Sequence, residues 1–468
     1  PTDSTQDDVT DPVSFDLLSA VSDIDADYDL DTLSITALTF TVNGEATGNV
    51  GNDLPNGVSL TDDTLNFDPT AYSDLLEGER VVIVASYTVT DTGGLSVSQT
   101  YTVTIDGTFG VPEIIGTEAG ERLEATADGN VVRALGGDDT LVSGVGDDFL
   151  IGGEGIDTAD YEGATDGVTV DLSAIGLQAT GHGRDYLTGI ENLSGSASAD
   201  MLIGDEVDNT LVGRSGDDIL LGDAGADSLY GNQGDDFMEG GEGDDWMHGG
   251  RDNDTLLGGV GSDTLAGGLG DDLVDGGEGF DVLDFFTARD GVTVDLSLIG
   301  PQLVSAIEGT DIYTNIEGVL GGDFGDRLLG NEFANLLDGG LGNDTLIGRD
   351  GDDTLKGGSD DDVLYGGLGA DLQEGGAGAD TFAFVTSEEG GDTIIDFDAS
   401  EDVFRLSLVN FSGTNPVDPL SGSHLLWDAE AGTLFYDADG VGGEDAQLLA
   451  TLLSDEEITL TADNFVFF

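Results

Sequence analysis

The hydrophobic pattern of this chain has a period of nine residues over much of its length. Between residues 195 and 284 one apolar side chain recurs at every ninth position, with glycine and acidic residues in between. These positions are Leu202, Leu211, Leu220, Leu229, Met238, Met247, Leu256, Leu265, Val274 and Leu283. A triplet with a central aliphatic residue predicts a short strand whose middle side chain points inward. Two nonapeptides then complete one coil of about eighteen residues, so the pattern predicts a parallel β-roll with a thin core.

The full repeat reads G-G-x-G-x-D-x-U-x, where U is aliphatic, and we number its positions one to nine. It runs for about ten copies over 195–284 and about seven over 321–383, and a degenerate array covers 116–160. The glycines favour tight loops because glycine adopts positive φ at little cost. Some loops depart from the pattern: Val207, Asp252 and Asp360 replace the glycine at position four, and Gln373 replaces the aliphatic residue at position eight.

Position six carries an acid that is a candidate metal ligand. Each loop offers this carboxylate together with free backbone carbonyls, which are hard oxygen ligands suited to Ca²⁺. Loops of successive coils are expected to hold each ion between them, so that Asp218 and Asp236 share one ion and Asp227 and Asp245 another. The predicted metal ligands are Asp139, Asp148, Asp157, Asp200, Asp218, Asp227, Asp236, Asp245, Asp254, Asp263, Asp272, Asp281, Asp326, Asp344, Asp353, Asp362, Asp371 and Asp380. Pairs eighteen apart predict roughly a dozen ions.

The arrays lie within a larger organisation that is β-rich throughout. Residues 1–110 carry β-rich runs at 33–42, 80–91 and 95–105, with the turn spacing of a β-sandwich. Two inserts, 161–194 and 285–320, separate a short degenerate roll (111–160), the main roll (195–284) and a second roll (321–383). The non-repetitive residues 384–468 are the predicted cap. The predicted fold class is therefore all-β: an N-terminal β-sandwich followed by parallel β-roll solenoids with a C-terminal β cap.

The two inserts are related to each other in sequence. DYEGATDGVTVDLSAIG at 160–176 matches DFFTARDGVTVDLSLIG at 284–300. Each alternates apolar and polar residues as strands do, with Val168, Val170 and Leu172 in the first insert. We expect each insert to cap one roll and to start the next.

An acidic run near the N-terminus is a separate candidate site. Its members are Asp23, Asp25, Asp27, Asp29 and Asp31. An EF-hand does not fit, because Tyr28 stands where that loop requires glycine. Two interpretations are equally supported. The run forms a calcium site at the sandwich edge with Asp91 as a further ligand, or it is a solvated acidic loop.

Three segments resemble known families. The motif GGLGNDTLI at 339–347 resembles the repeats-in-toxin (RTX) nonapeptide, and this resemblance implies calcium-induced β-roll folding and export by a type I secretion system. The stretch AYSDLLEGERVVIVASYTVTDTGG at 71–94 resembles the cadherin-like repeats of large bacterial adhesins. GGDTIIDFDASEDVFRLS at 390–407 and the terminal NFVFF are similar to the segments that close RTX rolls. That similarity implies an uncleaved C-terminal secretion signal.

Charge and composition argue against several classes of partner and of stabilising bond. The chain has 97 Asp and Glu against 11 Lys and Arg, a net charge of −86, which disfavours nucleic acid and anionic lipid as partners. Cysteine is absent, so disulfides cannot staple the fold and bound metal is the expected staple. No apolar run approaches the ~18 residues of a membrane span, so we expect no membrane insertion.

Catalytic signatures are also missing from the sequence. His182, His248 and His424 lie far apart, and neither a HExxH helix nor a G-x-S-x-G elbow occurs. We therefore expect a non-enzymatic, extracellular or cell-surface protein with a structural or adhesive role. The alternatives are the export and folding portion of a larger secreted enzyme or toxin, whose active domain precedes Pro1, and a carbohydrate-binding module.

The outward positions seven and nine of the main roll predict a contact surface. One face would carry Ile219, Leu221, Phe237, Leu257 and Leu273, and the other Val212, Tyr230, Trp246 and His248. Exposed apolar clusters often mark partner sites. Either an insert strand or neighbouring roll covers these residues, or a partner does. The expected partners are thus calcium and the type I secretion machinery, with self-association and a surface glycan as further candidates.

Overall fold

The computed structural model describes residues 13–16, 34–42, 45–49, 58–61, 64–67, 80–90, 96–106, 113–126, 129–411, 414, 420, 424–440, 446–454 and 458–468. The chain divides into two compact units, residues 1–163 with 172–190 and residues 164–171 with 191–468. In the described residues every regular element is a β-strand or a short 3-10 turn, which confirms the predicted all-β class. None of those elements is a helix long and apolar enough to cross a membrane.

The first unit opens with two antiparallel sheets. Their strands are β1 (Val13–Asp16), β2 (Ser34–Val42), β3 (Glu45–Asn49), β4 (Val58–Thr61), β5 (Thr64–Phe67), β6 (Arg80–Thr90) and β7 (Ser96–Asp106). The strand orders are β3-β2-β6-β7 and β1-β5-β4. The β-rich runs predicted at 33–42, 80–91 and 95–105 coincide with β2, β6 and β7. The packing of the sheets as a sandwich stays a prediction, and the acidic site at 23–31 with Asp91 lies outside the described residues.

The degenerate array forms a short parallel roll in the same unit. The strands that follow are β8 (Glu113–Ile115), β9 (Arg122–Glu124), β10 (Val131–Gly136), β11 (Thr140–Val142), β12 (Phe149–Glu154), β13 (Thr158–Asp160), β14 (Thr169–Asp171, in the second unit), β15 (Gln178–Ala179) and β16 (Arg184–Thr188). One face pairs β8, β10, β12 and β16 in parallel, and the other pairs β9, β11 and β13. The insert strand β16 therefore serves as a further rung of this roll.

The second unit is a long parallel solenoid. Its first strands after β14 are β17 (Asn192–Ser194), β18 (Met201–Ile203), β19 (Thr210–Ser215), β20 (Ile219–Ala224), β21 (Ser228–Gln233), β22 (Phe237–Glu242), β23 (Trp246–Arg251), β24 (Thr255–Val260), β25 (Thr264–Leu269), β26 (Leu273–Glu278), β27 (Val282–Asp284), β28 (Thr293–Asp295), β29 (Gln302–Ser305), β30 (Gly309–Thr314) and β31 (Gly318–Leu320). From β17 to β27 they alternate between the two faces of the solenoid.

The remaining strands complete the second array and the C-terminal segment. They are β32 (Arg327–Leu329), β33 (Leu336–Leu341), β34 (Thr345–Asp350), β35 (Thr354–Ser359), β36 (Val363–Leu368), β37 (Leu372–Ala377), β38 (Thr381–Phe384), β39 (Asp392–Ile394), β40 (Val403–Leu406), β41 (Leu425–Asp428), β42 (Thr433–Tyr436), β43 (Gln447–Leu452) and β44 (Phe465–Phe467), with 3-10 turns at Ser387–Glu389 and Ala462–Asn464.

One face of the solenoid is a single sheet that runs through both arrays. This continuous sheet joins β17, β19, β21, β23, β25, β27, β31, β33, β35, β37 and β39 by parallel pairing. The opposite face holds two sheets in succession. The first facing sheet has the order β14-β18-β20-β22-β24-β26-β30-β29, and the second has β28-β32-β34-β36-β38-β40-β44.

The register follows the nine-residue repeat. Within the arrays a strand pairs with the strand eighteen residues on, as in Leu211↔Leu229 and Leu220↔Met238, so position eight stacks on position eight and is fully buried. Most strands have six residues rather than the predicted triplet. The extension arises because loop positions two and three also pair, as in Arg214↔Asn232 and Ser215↔Gln233. The polar exception Gln373 is buried, and its side-chain amide donates to Asp392 Oδ2 at 2.8 Å.

The inserts contribute rungs to the solenoid. In the first insert β14 pairs in parallel with β18, and Val168 and Val170 are buried. In the second insert β30 continues the first facing sheet from β26, whereas β28 begins the second facing sheet beside β32. The continuous sheet passes from β27 directly to β31. The second insert therefore changes the sheet on one face while the other face continues.

Candidate metal centres

The position-six aspartates form a hydrogen-bonded ladder along the loops. Each carboxylate is buried, and in most of them Oδ1 accepts the backbone N–H of the position-six residue eighteen earlier. At the starts of the two long arrays, Asp200 and Asp326 instead accept the backbone N–H of an insert residue, Val168 and Val292. Asp218 N–H donates to Asp236 Oδ1 at 2.8 Å, and Asp227 N–H donates to Asp245 Oδ1 at 2.8 Å. The pairs predicted to share an ion are thus adjacent rungs. Through these hydrogen bonds the loops of successive coils contact each other directly.

The second carboxylate oxygen, Oδ2, has no partner in most of these loops. It is buried without a hydrogen-bond donor in fifteen aspartates: Asp139, Asp157, Asp218, Asp227, Asp236, Asp245, Asp254, Asp263, Asp272, Asp281, Asp344, Asp353, Asp362, Asp371 and Asp380. A buried polar atom without a partner costs on the order of 1–3 kcal/mol, and more when the group is charged. All fifteen belong to the predicted ligand set. A bound cation would remove this cost.

Burial also changes the acidity of these groups. It raises the pKa of Asp254 and Asp344 to about 8 and that of Asp236 to about 6, with neighbouring carboxylates adding to the effect. Desolvation and like charges both disfavour the ionised form. Without a counter-charge, Asp254 and Asp344 would therefore be mostly protonated at neutral pH. A divalent cation allows the same carboxylates to stay ionised.

In fourteen of the fifteen loops a glycine at position one leaves a small space beside Oδ2, and Ala134 takes that position in the loop of Asp139. A Cβ added to Gly222 would lie 2.3 Å from Asp227 Oδ2 and 2.4 Å from the carbonyl oxygen of Gly240. A Cβ on Gly240 would lie 2.2 Å from Asp245 Oδ2 and 2.6 Å from the carbonyl oxygen of Gly258. The carboxylate oxygen of one loop and a backbone carbonyl oxygen of the next coil thus point to the same small space. This donor set is the one that Ca²⁺ prefers.

Side chains alone do not build these centres. The described residues contain no cluster of three or more Asp, Glu, His or Cys side chains placed to hold one metal ion. Any cation at the ladder must therefore take several of its ligands from backbone carbonyls. Such ligands suit the six to eight oxygens of a calcium site better than a transition metal.

Three predicted ligands differ from the other fifteen. Their Oδ2 accepts a backbone N–H from position two of the same loop: Gly144 N–H to Asp148 at 2.9 Å, Ser196 N–H to Asp200 at 2.6 Å, and Gly322 N–H to Asp326 at 2.9 Å. Asn209 and Asn335 occupy position six in two further loops. Their side-chain oxygens also accept a position-two N–H, each at 2.7 Å. In these five loops the protein itself satisfies the oxygen.

The backbone at position two separates the two kinds of loop. In all fifteen loops with an unpartnered Oδ2, position two has positive φ, including the non-glycine residues Leu135, Arg214, Asp223, Asn232 and Arg349 with φ of 77–84°. In the five satisfied loops, position two lies outside the left-handed region. We call the fifteen open loops and the five closed loops.

Position four provides a sequence signal for the closed loops that the repeat frame alone missed. Four closed loops carry Ser198, Val207, Phe324 or Phe333 there, whereas Asp252 and Asp360 keep φ of 73° and 78° in open loops. Asp adopts the left-handed region far more readily than a β-branched or bulky residue. The kind of residue that replaces glycine therefore matters more than the replacement itself. The closed loop of Asp148 retains Gly146 and shows no such signal.

Open and closed loops should differ in calcium stoichiometry. We expect Asp236→Asn to lower the number of bound Ca²⁺ ions by one or two, because its carboxylate lies between successive open loops. The matched change Asp200→Asn should leave the number unchanged, because Ser196 already satisfies that oxygen. Equilibrium dialysis with elemental analysis measures both numbers. Equal losses in the two variants would contradict the division into open and closed loops.

Comparison with known proteins identifies the repeat. The sequence matches the RTX calcium-binding nonapeptide repeat (4 copies) at residues 124–159, 186–220, 194–229, 212–247, 221–256, 248–283, 320–355 and 347–382. No curated protein matches the chain.

Several solved structures are similar in part. The R3 subunit of the mannuronan C5-epimerase AlgE6 of Azotobacter vinelandii is 29% identical, over 31% of this chain and 80% of that one, with a TM-score of 0.17. The extracellular lipase LipA of Serratia marcescens is 17% identical, over 57% of this chain and 40% of that one, with a TM-score of 0.16. A family 28 exopolygalacturonase of Yersinia enterocolitica is 9% identical, over 80% and 90% of the chains, with a TM-score of 0.13.

Proposed function

Since the chain carries RTX calcium-binding nonapeptide repeats, we propose that it is a secreted protein that calcium folds outside the cell. Its role there is structural or adhesive, at the cell surface or in the extracellular matrix. The export route is a type I secretion system, which the resemblance of the C-terminal segment supports. The protein is non-enzymatic.

The fifteen unpartnered Asp oxygens carry this proposal. At submicromolar calcium they remain uncompensated, and a chain of net charge −86 resists compaction. Extracellular calcium is millimolar, which suits sites with Kd on the order of 10⁻⁴–10⁻³ M. Metal binding and folding are then one process. The chain would be exportable inside the cell and rigid outside it.

The outward positions of the first facing sheet support an adhesive role. At position seven, Ile219, Phe237, Thr255 and Leu273 follow one another across paired strands. Ile219 and Leu273 are 37% and 39% exposed, and Phe237 is half-buried. An apolar row on a highly acidic protein is a surface that another molecule can cover. A second copy can approach it once calcium has lowered the repulsion.

Self-association through this row is expected to depend on its apolar side chains. The triple change Ile219→Thr, Phe237→Thr and Leu273→Thr should abolish calcium-dependent assembly while leaving the fold intact, because threonine already occupies position seven in β24 and β25. Light scattering with and without calcium gives the assembly state, and circular dichroism gives the fold. The single exposed change Leu341→Thr, on the other face, is the control. A wild-type protein that stays monomeric in calcium would rule out this mode of association.

The adhesive role itself can be tested with coated beads. Beads that carry the purified chain should cluster in millimolar calcium and disperse in EGTA, and an antibody should detect the protein on the surface of intact source cells. A protein that folds on calcium but neither clusters beads nor reaches the cell surface would refute the adhesive proposal. The calcium-folding proposal would survive that outcome.

A further inference from the structure

A cavity lies beside the continuous sheet, where the loop of the second insert packs against the main roll. Its volume is about 220 Å³. His248, Arg251 and Leu269 line it from strands β23 and β25, and Thr287, Arg289 and Glu308 line it from the insert. The cavity is separate from the position-six ladder. None of the position-six aspartates lines it, so the calcium ions proposed for the ladder would not occupy this cavity.

The first unusual property of this cavity is its positive charge. Arg251 and Arg289 are two of only eleven basic residues in a chain with 97 acids. Both are exposed, and neither guanidinium forms an ion pair with any described residue. Elsewhere Arg349 pairs with Asp295 at 2.7 Å and Arg122 with Asp160 at 2.9 Å. Two guanidiniums that line one cavity without an ion-pair partner favour a carboxylate as its ligand.

The second property is an aromatic stack at the edge of the cavity. The rings of Tyr230 and Trp246 lie 4.9 Å apart, and the ring of His248 stacks on Trp246 at 5.9 Å. All three side chains are half-buried, so part of each ring meets solvent. Half-exposed aromatic rings offer a flat apolar surface with a polar edge. A ligand that uses this surface must itself have one apolar face.

The third property is a buried acid inside the cavity. Glu308 is 3% exposed, and its Oε1 accepts the backbone N–H of Arg289 at 3.2 Å. This carboxylate disfavours a simple inorganic anion, which brings negative charge and no donor. It favours a ligand with hydroxyl groups, because a hydroxyl donates a hydrogen bond to a carboxylate. Asn232, which also lines the cavity, adds an amide.

Together these groups specify one ligand chemistry. We propose that the cavity and the adjoining stack bind a carboxylated sugar residue of a glycan. Arg251 and Arg289 bind its carboxylate, Glu308 accepts its hydroxyl groups, and the ring lies against Trp246 and His248. The volume is below the ~300 Å³ of pockets for drug-sized ligands, so one sugar ring enters. This inference rests on the adhesive role proposed above and gives that role a target.

The test uses the full chain in millimolar calcium and two trisaccharides. A trisaccharide of galacturonic acid should bind by isothermal titration calorimetry, and the neutral trisaccharide of galactose should bind far more weakly. The double change Arg251→Gln and Arg289→Gln should weaken the acidic sugar at least about tenfold, since each charge-assisted hydrogen bond contributes to binding. Trp246→Thr, which copies Thr264 on the next strand, should weaken both sugars. Arg327→Gln, at an exposed arginine on the second facing sheet, should change neither affinity.

Three outcomes would overturn the proposal. Equal binding of the two trisaccharides would remove the role of the guanidiniums. Undiminished binding in the double variant would assign the sugar to calcium bridges on the acidic surface. If circular dichroism shows that the protein is folded and it binds neither sugar, the cavity is not a site for a carboxylated sugar. Because these measurements use purified protein, a failure of bead clustering or of surface display would not affect them.

Discussion

Removal of calcium is expected to unfold the solenoid of the second unit. A repeat buries one aliphatic side chain, which stabilises by about 1.5–3 kcal/mol. Ordering the backbone of even three residues costs about 3–6 kcal/mol, and each repeat orders nine residues. The core cannot offset this cost while the buried Asp oxygens also lack partners. Far-UV circular dichroism during an EGTA titration should show loss of nearly all β-signal from the roll.

Two controls make this result specific. Refilling with calcium should restore the signal, whereas magnesium should not, because it demands smaller octahedral geometry and dehydrates reluctantly. In a Trp427→Phe variant Trp246 is the remaining tryptophan, and its fluorescence reports on the main roll separately from the N-terminal sheets. A β-signal and Trp246 emission that stay unchanged in EGTA would show that the roll is stable without metal.

Deletion of residues 384–468 is expected to raise the calcium concentration needed for folding several-fold. The C-terminal segment closes the end of the second facing sheet, where β40 and β44 pair beyond β38. Its Phe397, Phe404 and Phe465 stack with centroid separations of 4.8 and 5.6 Å and cover the fully buried Phe382. Truncation would expose this cluster at the end of the solenoid.

The C-terminal segment also completes the aspartate ladder. Asp392 Oδ1 accepts the N–H of Asp371 at 3.2 Å, and Asp402 Oδ1 accepts the N–H of Asp380 at 2.9 Å. Solenoids need such terminal caps, and folding propagates from them. Deletion of residues 1–106 is the control and should leave the calcium midpoint unchanged. If the 384–468 deletion folds at the same calcium concentration as the intact chain, the cap is dispensable.

The periodic part of this fold follows directly from the sequence. The spacing of Leu211, Leu220 and Leu229 is enough to place neighbours on opposite faces and every second one in register. The position-six acids could be located for the same reason. Each copy of the repeat lies between two similar copies, so the same residue position has the same surroundings in every copy.

The aperiodic parts could not be derived in this way. The sequence of the second insert does not show that the continuous sheet passes from β27 to β31 while the facing sheet changes. The closed loops were also missed, because Asp200 and Asp236 occupy the same position of the repeat, and the repeat frame does not give the φ angle four residues earlier. The residue at position four indicates the φ angle at position two only when its own side chain disfavours the left-handed region.

The fixed register of the continuous sheet limits how this molecule can change in length. A strand pairs with the strand eighteen residues on, so gain or loss of one whole coil keeps every later rung on its own face. Gain or loss of nine residues would move every later strand to the opposite face and misplace the second insert. Duplication in units of eighteen codons is therefore the neutral route. Each such event lengthens the solenoid by one strand spacing, about 4.8 Å.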